Sequence, residues 1–166
     1  MQKTSARPAD EIEKIIHTYG DMLFRLCLVM LGNSSDAEDA IQETMLTYLQ
    51  KTPDFRDAEH QKAWLITVAT NKSKDILRFR ARHPVASMEH TAENLNEFAK
   101  DTSDSSILDA LMTLPEKFRL VLILYYVEQY SIDDIAKIIG RTTSAVKMRL
   151  QKGRKLLSET YRKEYM

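Results

Sequence analysis

Cysteine, glycine, proline and tryptophan are all scarce in this 166-residue chain: one cysteine, four glycines, four prolines and one tryptophan. Net charge is absent too, because 24 basic side chains face 24 acidic ones. Each shortage excludes something. A single thiol, Cys27, rules out an internal disulfide framework and is the expectation for a reducing, cytoplasmic compartment. The four histidines, His17, His60, His83 and His90, are scattered, so no Cys/His zinc knuckle, metal or other cofactor is expected. No run approaches the ~18 apolar residues of a membrane span, and the opening MQKTSARPADE lacks the apolar core of a secretory signal, so no membrane insertion is expected. Phosphate-loop, zinc-protease and nucleophile-elbow motifs are missing, so no enzyme is expected. Balanced charge does not exclude nucleic acid, because what matters is where the charge sits.

What is present is helical periodicity. Gly32, Pro53, Pro84, Pro115 and Gly140 punctuate stretches with apolar residues at three- and four-residue steps, and no stretch alternates as a strand would. The first helix is expected from about Asp10 to Leu31, burying Ile12, Ile15, Ile16, Tyr19, Leu23 and Leu26 and ending at Gly32. A second opens at Ser35, with Glu38 completing a capping box, and runs to about Lys51. A charged loop, 52–60, leads into a third helix from Gln61 to about Arg82. Trp64 could stack a nucleic-acid base, but its step with Leu65, Val68 and Ala69 favours core. Cys27, between Leu26 and Leu28, reads as a small buried hydrophobe.

Residues 84–105 then read as a flexible acidic linker, since Glu89, Glu93, Glu97, Asp101 and Asp104 face Lys100 alone. A second apolar block follows. Leu120–Val127 is an unbroken apolar run that periodicity alone leaves open between a buried strand and a buried helix; a buried helix is expected, because the pattern spans Glu116 to Gln129. The expected architecture is all-α: two small helical domains, 8–83 and 106–163, joined by that linker.

Ser131 to Leu157 has the layout of a helix-turn-helix: a short helix capped by Ser131, a turn at Gly140, and a longer helix capped by Thr142 or Thr143. Ile132, Ile135, Ala136 and Ile139 face inward on the first helix, and Val146, Leu150 and Leu157 on the second. Ser144, Lys147, Met148, Gln151, Lys152 and Lys155 then face out, where a recognition helix meets base edges. Residues 141–166 carry a net charge of +6, the local density that phosphate contact requires. Gly153 within this helix costs about 1 kcal/mol relative to Ala.

The first half carries two patches of opposite sign. Asp36, Glu38, Asp39 and Glu43 stand without a basic residue among them, and Glu38, Asp39, Gln42 and Glu43 can share one exposed helical face. Spacing leaves open a solvated helix start favoured by the dipole or a docking face for a partner. Residues 62–82 carry a net charge of +5. Asn71, Lys74, Asp75 and Arg78 fall on one side there, suited to lie along a nucleic-acid backbone.

Three stretches together resemble a known family. Asp36-Ala37-Glu38-Asp39-Ala40-Ile41-Gln42-Glu43-Thr44 is similar to region 2.2 of the extracytoplasmic function (ECF) class of bacterial sigma factors. Ala63-Trp64-Leu65-Ile66-Thr67-Val68-Ala69-Thr70-Asn71, continuing through Asp75, Leu77 and Arg78, is similar to regions 2.3 and 2.4. The third stretch, Leu114-Pro115 through Tyr125-Tyr126, Ile135-Ala136 and Val146-Lys147, resembles region 4. The resemblance implies a promoter-specificity subunit that binds core RNA polymerase and directs it to −10 and −35 promoter elements. It implies that Asp36, Glu38, Asp39, Gln42 and Glu43 dock on the β′ clamp helices and that the second domain meets the β flap. It assigns the −10 element to Arg56, His60, Lys62, Asn71, Lys74, Arg78, Arg80 and Arg82. The −35 element falls to Arg141, Thr143, Ser144, Lys147, Met148, Gln151 and Lys152. The linker would thread near the active-site channel, and an anti-sigma factor would hold the protein inactive. Ser144-Ala145 stands where family members often carry Gly-Thr, and Lys152-Gly153-Arg154 where Arg-Ala-Arg is common. The competing expectation is a stand-alone helix-turn-helix regulator that binds duplex DNA without polymerase.

Overall fold

The computed structural model describes residues 9–51, 54–83 and 105–165. The chain divides into two compact units, Met1–Ser87 and Met88–Met166. Among the described residues every regular element is helical, and none is long and apolar enough to cross a membrane. The linker expected at 84–105 lies outside the described residues except for its last residue, which already opens a helix.

Three helices build the first unit: α1 (Ala9–Leu31), α2 (Ser34–Lys51) and α3 (Ala58–Arg82). Each packs on the other two. Along α1 the burial pattern changes. Its first half buries Ile15 and leaves Ile16 48% exposed, against expectation. From Leu26 to Leu31 every side chain is buried, because α2 and α3 close around that end and leave no solvent side. A helix apolar all round is stable only when surrounded in this way. Ala37, Ala40, Ala69 and Ser73 are fully buried, and their small side chains let the helix backbones approach. The hydroxyls of Thr44 and Ser73 donate to the carbonyls of Ala40 (2.7 Å) and Ala69 (2.9 Å), so neither is buried unsatisfied. Cys27 is fully buried, and burial pushes its thiol up to about 11 against a smaller opposing pull from Ser73.

The third helix starts three residues earlier than expected. Asp57, in extended backbone, accepts a hydrogen bond from the His60 N–H at 2.8 Å and so caps α3.

The second unit comprises α4 (Ser105–Met112), α5 (Glu116–Leu122), α6 (Ile132–Ile139) and α7 (Thr143–Tyr165). The apolar run from 120 is helical, with a difference. After Leu122 the chain widens into a π-helical turn, Ile123–Val127, and the Glu128 N–H closes back on the Ile123 carbonyl at 3.0 Å. Leu120 to Leu124 are buried, whereas Tyr125, Tyr126 and Val127 emerge at 36%, 53% and 48% exposure. The inserted residue rotates the end of the run out of the core. Arg119 braces the entry to α5 by donating to the carbonyls of Met112 (3.1 Å) and Leu114 (2.9 Å).

Gly153 marks the place where α7 crosses α5. A Cβ there would lie 3.2 Å from Leu122 Cδ1 and 3.4 Å from Phe118 Cβ, so the missing side chain sets the crossing distance. Gly153→Leu is expected to cost about 1–3 kcal/mol by overpacking. The urea midpoint of the full chain checks this; an unchanged midpoint would show that the crossing has slack.

Candidate docking and nucleic-acid surfaces

The acidic face begins at a turn. Gly32 takes φ +84° and its N–H returns to the Leu28 carbonyl at 2.7 Å, ending α1. Asn33 follows at once and caps α2. Its Oδ1 accepts from the Asp36 N–H at 2.8 Å, and its Nδ2 donates to Asp36 Oδ2 at 3.1 Å. The cap is therefore Asn33 rather than the expected Ser35, because the side chain nearest the turn reaches the free N–H groups first. Glu38 is left with no capping duty. It lies exposed with Asp39, Gln42 and Glu43, while Ala37, Ala40 and Thr44 are buried on the opposite side. Leu46, 48% exposed, continues that face one turn further and was not signalled by charge.

Asp36 does not share the open face. It is half-buried and paired with Arg80, which also donates to the Leu31 carbonyl at 2.9 Å. Partial burial lowers the Arg80 pKa from its ordinary value, the sense expected for a cation drawn out of water. Arg80 is thereby turned inward, away from its expected neighbours on α3.

On α3, Asn71, Asp75, Arg78 and Arg82 are exposed and Lys74 is half-buried. Arg78 meets Asp75 at 2.9 Å, a solvent-exposed pair that contributes little to stability. The loop before α3 is braced by rings. Phe55 stacks on Tyr48 with centroids 6.0 Å apart, and meets Trp64 (5.8 Å) and His60 (5.4 Å) edge-on. His60 Nδ1 also accepts from the Arg56 N–H at 3.1 Å. Arg56 is exposed; His60 and Lys62 are half-buried. Trp64 is half-buried in this cluster rather than fully in the core. Phe55 and Tyr48 were not expected to hold the loop, because ring contacts across elements leave no spacing signal in sequence.

The second unit holds a helix-turn-helix. Ser131 caps α6 by accepting from the Asp134 N–H at 3.1 Å, and Gly140 ends it in the left-handed region, φ +69°. Thr142 caps α7 by accepting from the Ala145 N–H at 3.1 Å. Ile135, Ala136, Ile138 and Ile139 are buried, as are Val146 and Leu150; Ile132 and Leu157 are half-buried. Arg141, Thr143, Ser144, Lys147, Met148, Gln151, Lys152 and Lys155 are all exposed. Met148 is 70% exposed, unusual for an apolar side chain on a helix otherwise lined with polar groups.

The exposed end of the π-helical turn contributes to an apolar groove of about 560 Å³. Ile107, Leu111, Ile123, Val127 and Leu157 line it, with Arg154 donating to the Tyr126 hydroxyl at 3.1 Å beside it. Tyr125–Val127 are exposed here, against the buried helix expected of the apolar run, because the π-helical turn carries no periodic signature in sequence.

Comparisons with known proteins agree with this geometry. Family models for sigma-70 region 2 and sigma-70 region 4 match residues 15–83 and 104–157. The RNA polymerase sigma factor SigV of Bacillus subtilis is 30% identical, over 85% of each chain. The ECF RNA polymerase sigma factor SigW of the same organism is 27% identical, over 92% of this chain and 90% of its own length. The sigma factor RpoE of Bartonella quintana, solved with the anti-sigma factor NepR, shares the fold with a TM-score of 0.71 at 20% identity, covering 94% of this chain and 99% of that one. The chain belongs to the ECF sigma factors, proteins that bind core RNA polymerase and direct initiation at specific promoters.

The two roles of the acidic segment separate by stability. Asp36→Ala removes the carboxylate that both the Asn33 side chain and Arg80 bond, leaving a half-buried guanidinium short of a partner, and is expected to cost about 1–2 kcal/mol. Glu38→Lys, on the open face, is expected to stay within about 0.5 kcal/mol of the parent. Chemical unfolding of both variants checks this, and equal losses would contradict the division.

Proposed function

We propose that the two units divide promoter recognition between them. The unit at 8–83 docks on polymerase and engages the −10 element, the unit at 106–163 reads the −35 element, and 84–105 tethers them. The observation that carries this reading is one exposed acidic face, Glu38, Asp39, Gln42 and Glu43, on the helix next to the basic helix α3. A protein that only bound duplex DNA would gain nothing from a negative face beside its basic one. A protein held between polymerase and promoter uses both. Leu46 supplies an apolar contact at the end of the acidic face when it meets the β′ clamp helices.

The −10 surface is formed by Arg56, His60, Lys62, Asn71, Lys74, Arg78 and Arg82. Arg80 serves it indirectly by anchoring α3, as Asp36 serves the docking face by holding the Asn33 side chain and Arg80 at the start of α2. The −35 surface is α7, through Arg141, Thr143, Ser144, Lys147, Met148, Gln151 and Lys152. The apolar groove is suited to receive a helix of the β flap, and an anti-sigma factor covering either protein-binding face would silence the subunit. The chain carries no catalysis of its own and works in the cytoplasm, where polymerase is. Two modest contacts on one rigid partner reinforce each other through effective concentration.

Adding the purified chain to core polymerase and mapping the starts of the transcripts tests the whole reading. Starts clustered downstream of a shared pair of elements are expected. Glu38→Lys with Asp39→Lys is expected to reduce polymerase binding at least ~10-fold while leaving duplex DNA binding intact, because reversed charges repel across an interface. Full activity in that double variant would favour the stand-alone regulator.

A further inference from the structure

Lys117 lies in the first turn of α5, outside the helix-turn-helix, and the side of α7 comes to meet it. Its Nζ stands 5.1 Å from the centre of the Phe118 ring, and Lys152 Nζ stands 5.8 Å from the same ring. Phe118 is only 5% exposed, so the ring is fixed in the core and holds both ammonium groups by its quadrupole. The two cations border a cleft of about 740 Å³ that Arg149, Lys155 and Gln151 also line. One carboxylate, Glu159, stands in this cleft, one turn beyond Lys155. Cations gathered on one aromatic ring repel each other, and an anion seated between them relieves that repulsion.

We propose that Lys117 is a DNA-backbone contact, extending the −35 surface from α7 onto α5. This rests on the reading of α7 as the −35 helix. The ligand class is a phosphodiester of duplex DNA. The cleft is continuous with Met148 and Gln151, outward residues of α7, so a duplex seated on that helix brings a strand over Lys152 and Lys117 together. Glu159 repels phosphate and ends the track after Lys155. The contact carries no sequence information; it fixes how far α7 enters the groove and at what angle.

Binding of the full chain to an arbitrary-sequence duplex of about 30 base pairs, measured by anisotropy across a salt series, tests this. Lys117→Ala is expected to reduce the slope of log affinity against log salt by about one and weaken binding about 8-fold near 0.1 M salt. Lys117→Arg is expected to restore both. Loss in Lys147→Ala with none in Lys117→Ala overturns this inference and leaves the −35 reading standing, assigning the cleft to an acidic peptide instead. No loss in either variant overturns the −35 reading and this inference with it.

Discussion

Arg80 touches the ends of three helices. It donates to the last residue of α1, pairs with the Asp36 carboxylate in the first turn of α2, and belongs to the last turn of α3. A guanidinium is suited to this place, because its fork of donors satisfies a carbonyl and a carboxylate at once. The helix ends gathered there would otherwise leave polar groups half-buried and unpaired, at a cost of about 1–3 kcal/mol each. The junction also sets the direction of α2, and so where the acidic face points. The orientation of the acidic face thus depends on a half-buried pair of charges beside it.

Opposite charges on neighbouring helices remain distinct because small residues face the interior. Ala37, Ala40, Ala69 and Ser73 occupy the packed sides, so the long charged side chains have only solvent to enter. The zero net charge of the chain is the sum of strong local fields. Such a distribution orients a protein between a cationic and an anionic surface, which a uniform charge of either sign would not do.

Much of this was legible in the sequence, and the gaps have physical causes. Helix positions were clear because Gly32 and Gly140 sit where the chain needs φ above zero, and because Val146 and Leu150 keep strict helical step. The exposed sets at 38–43 and 144–152 followed directly from those buried positions. The cap of α2 differs from expectation because Asn33 and Ser35 are both good caps, and only the turn geometry decides between them. Asp36 and Arg80 were assigned outward since charge alone does not reveal a partner 44 residues away. Tyr125 to Val127 were counted as core because an added residue in a helical turn changes direction without changing composition.

That added residue determines which apolar side chains the second unit exposes. An ordinary helix through 127 would carry the apolar run on around its axis and turn part of it back toward α7. The wider turn instead exposes Tyr126 and Val127 beside Ile107, and a groove opens on that side. A π-helical turn is poorly favoured locally, so packing must hold it in place. Leu122, the residue just before the turn, packs on Gly153, where a Cβ would come within 3.2 Å of its Cδ1. Close packing at Gly153 therefore supports two surfaces of one small unit. It seats α7 against α5, which brings Lys152 to the same ring as Lys117, and it backs the turn that shapes the apolar groove. The helix propensity lost at Gly153 is offset by a crossing that a larger residue would force apart.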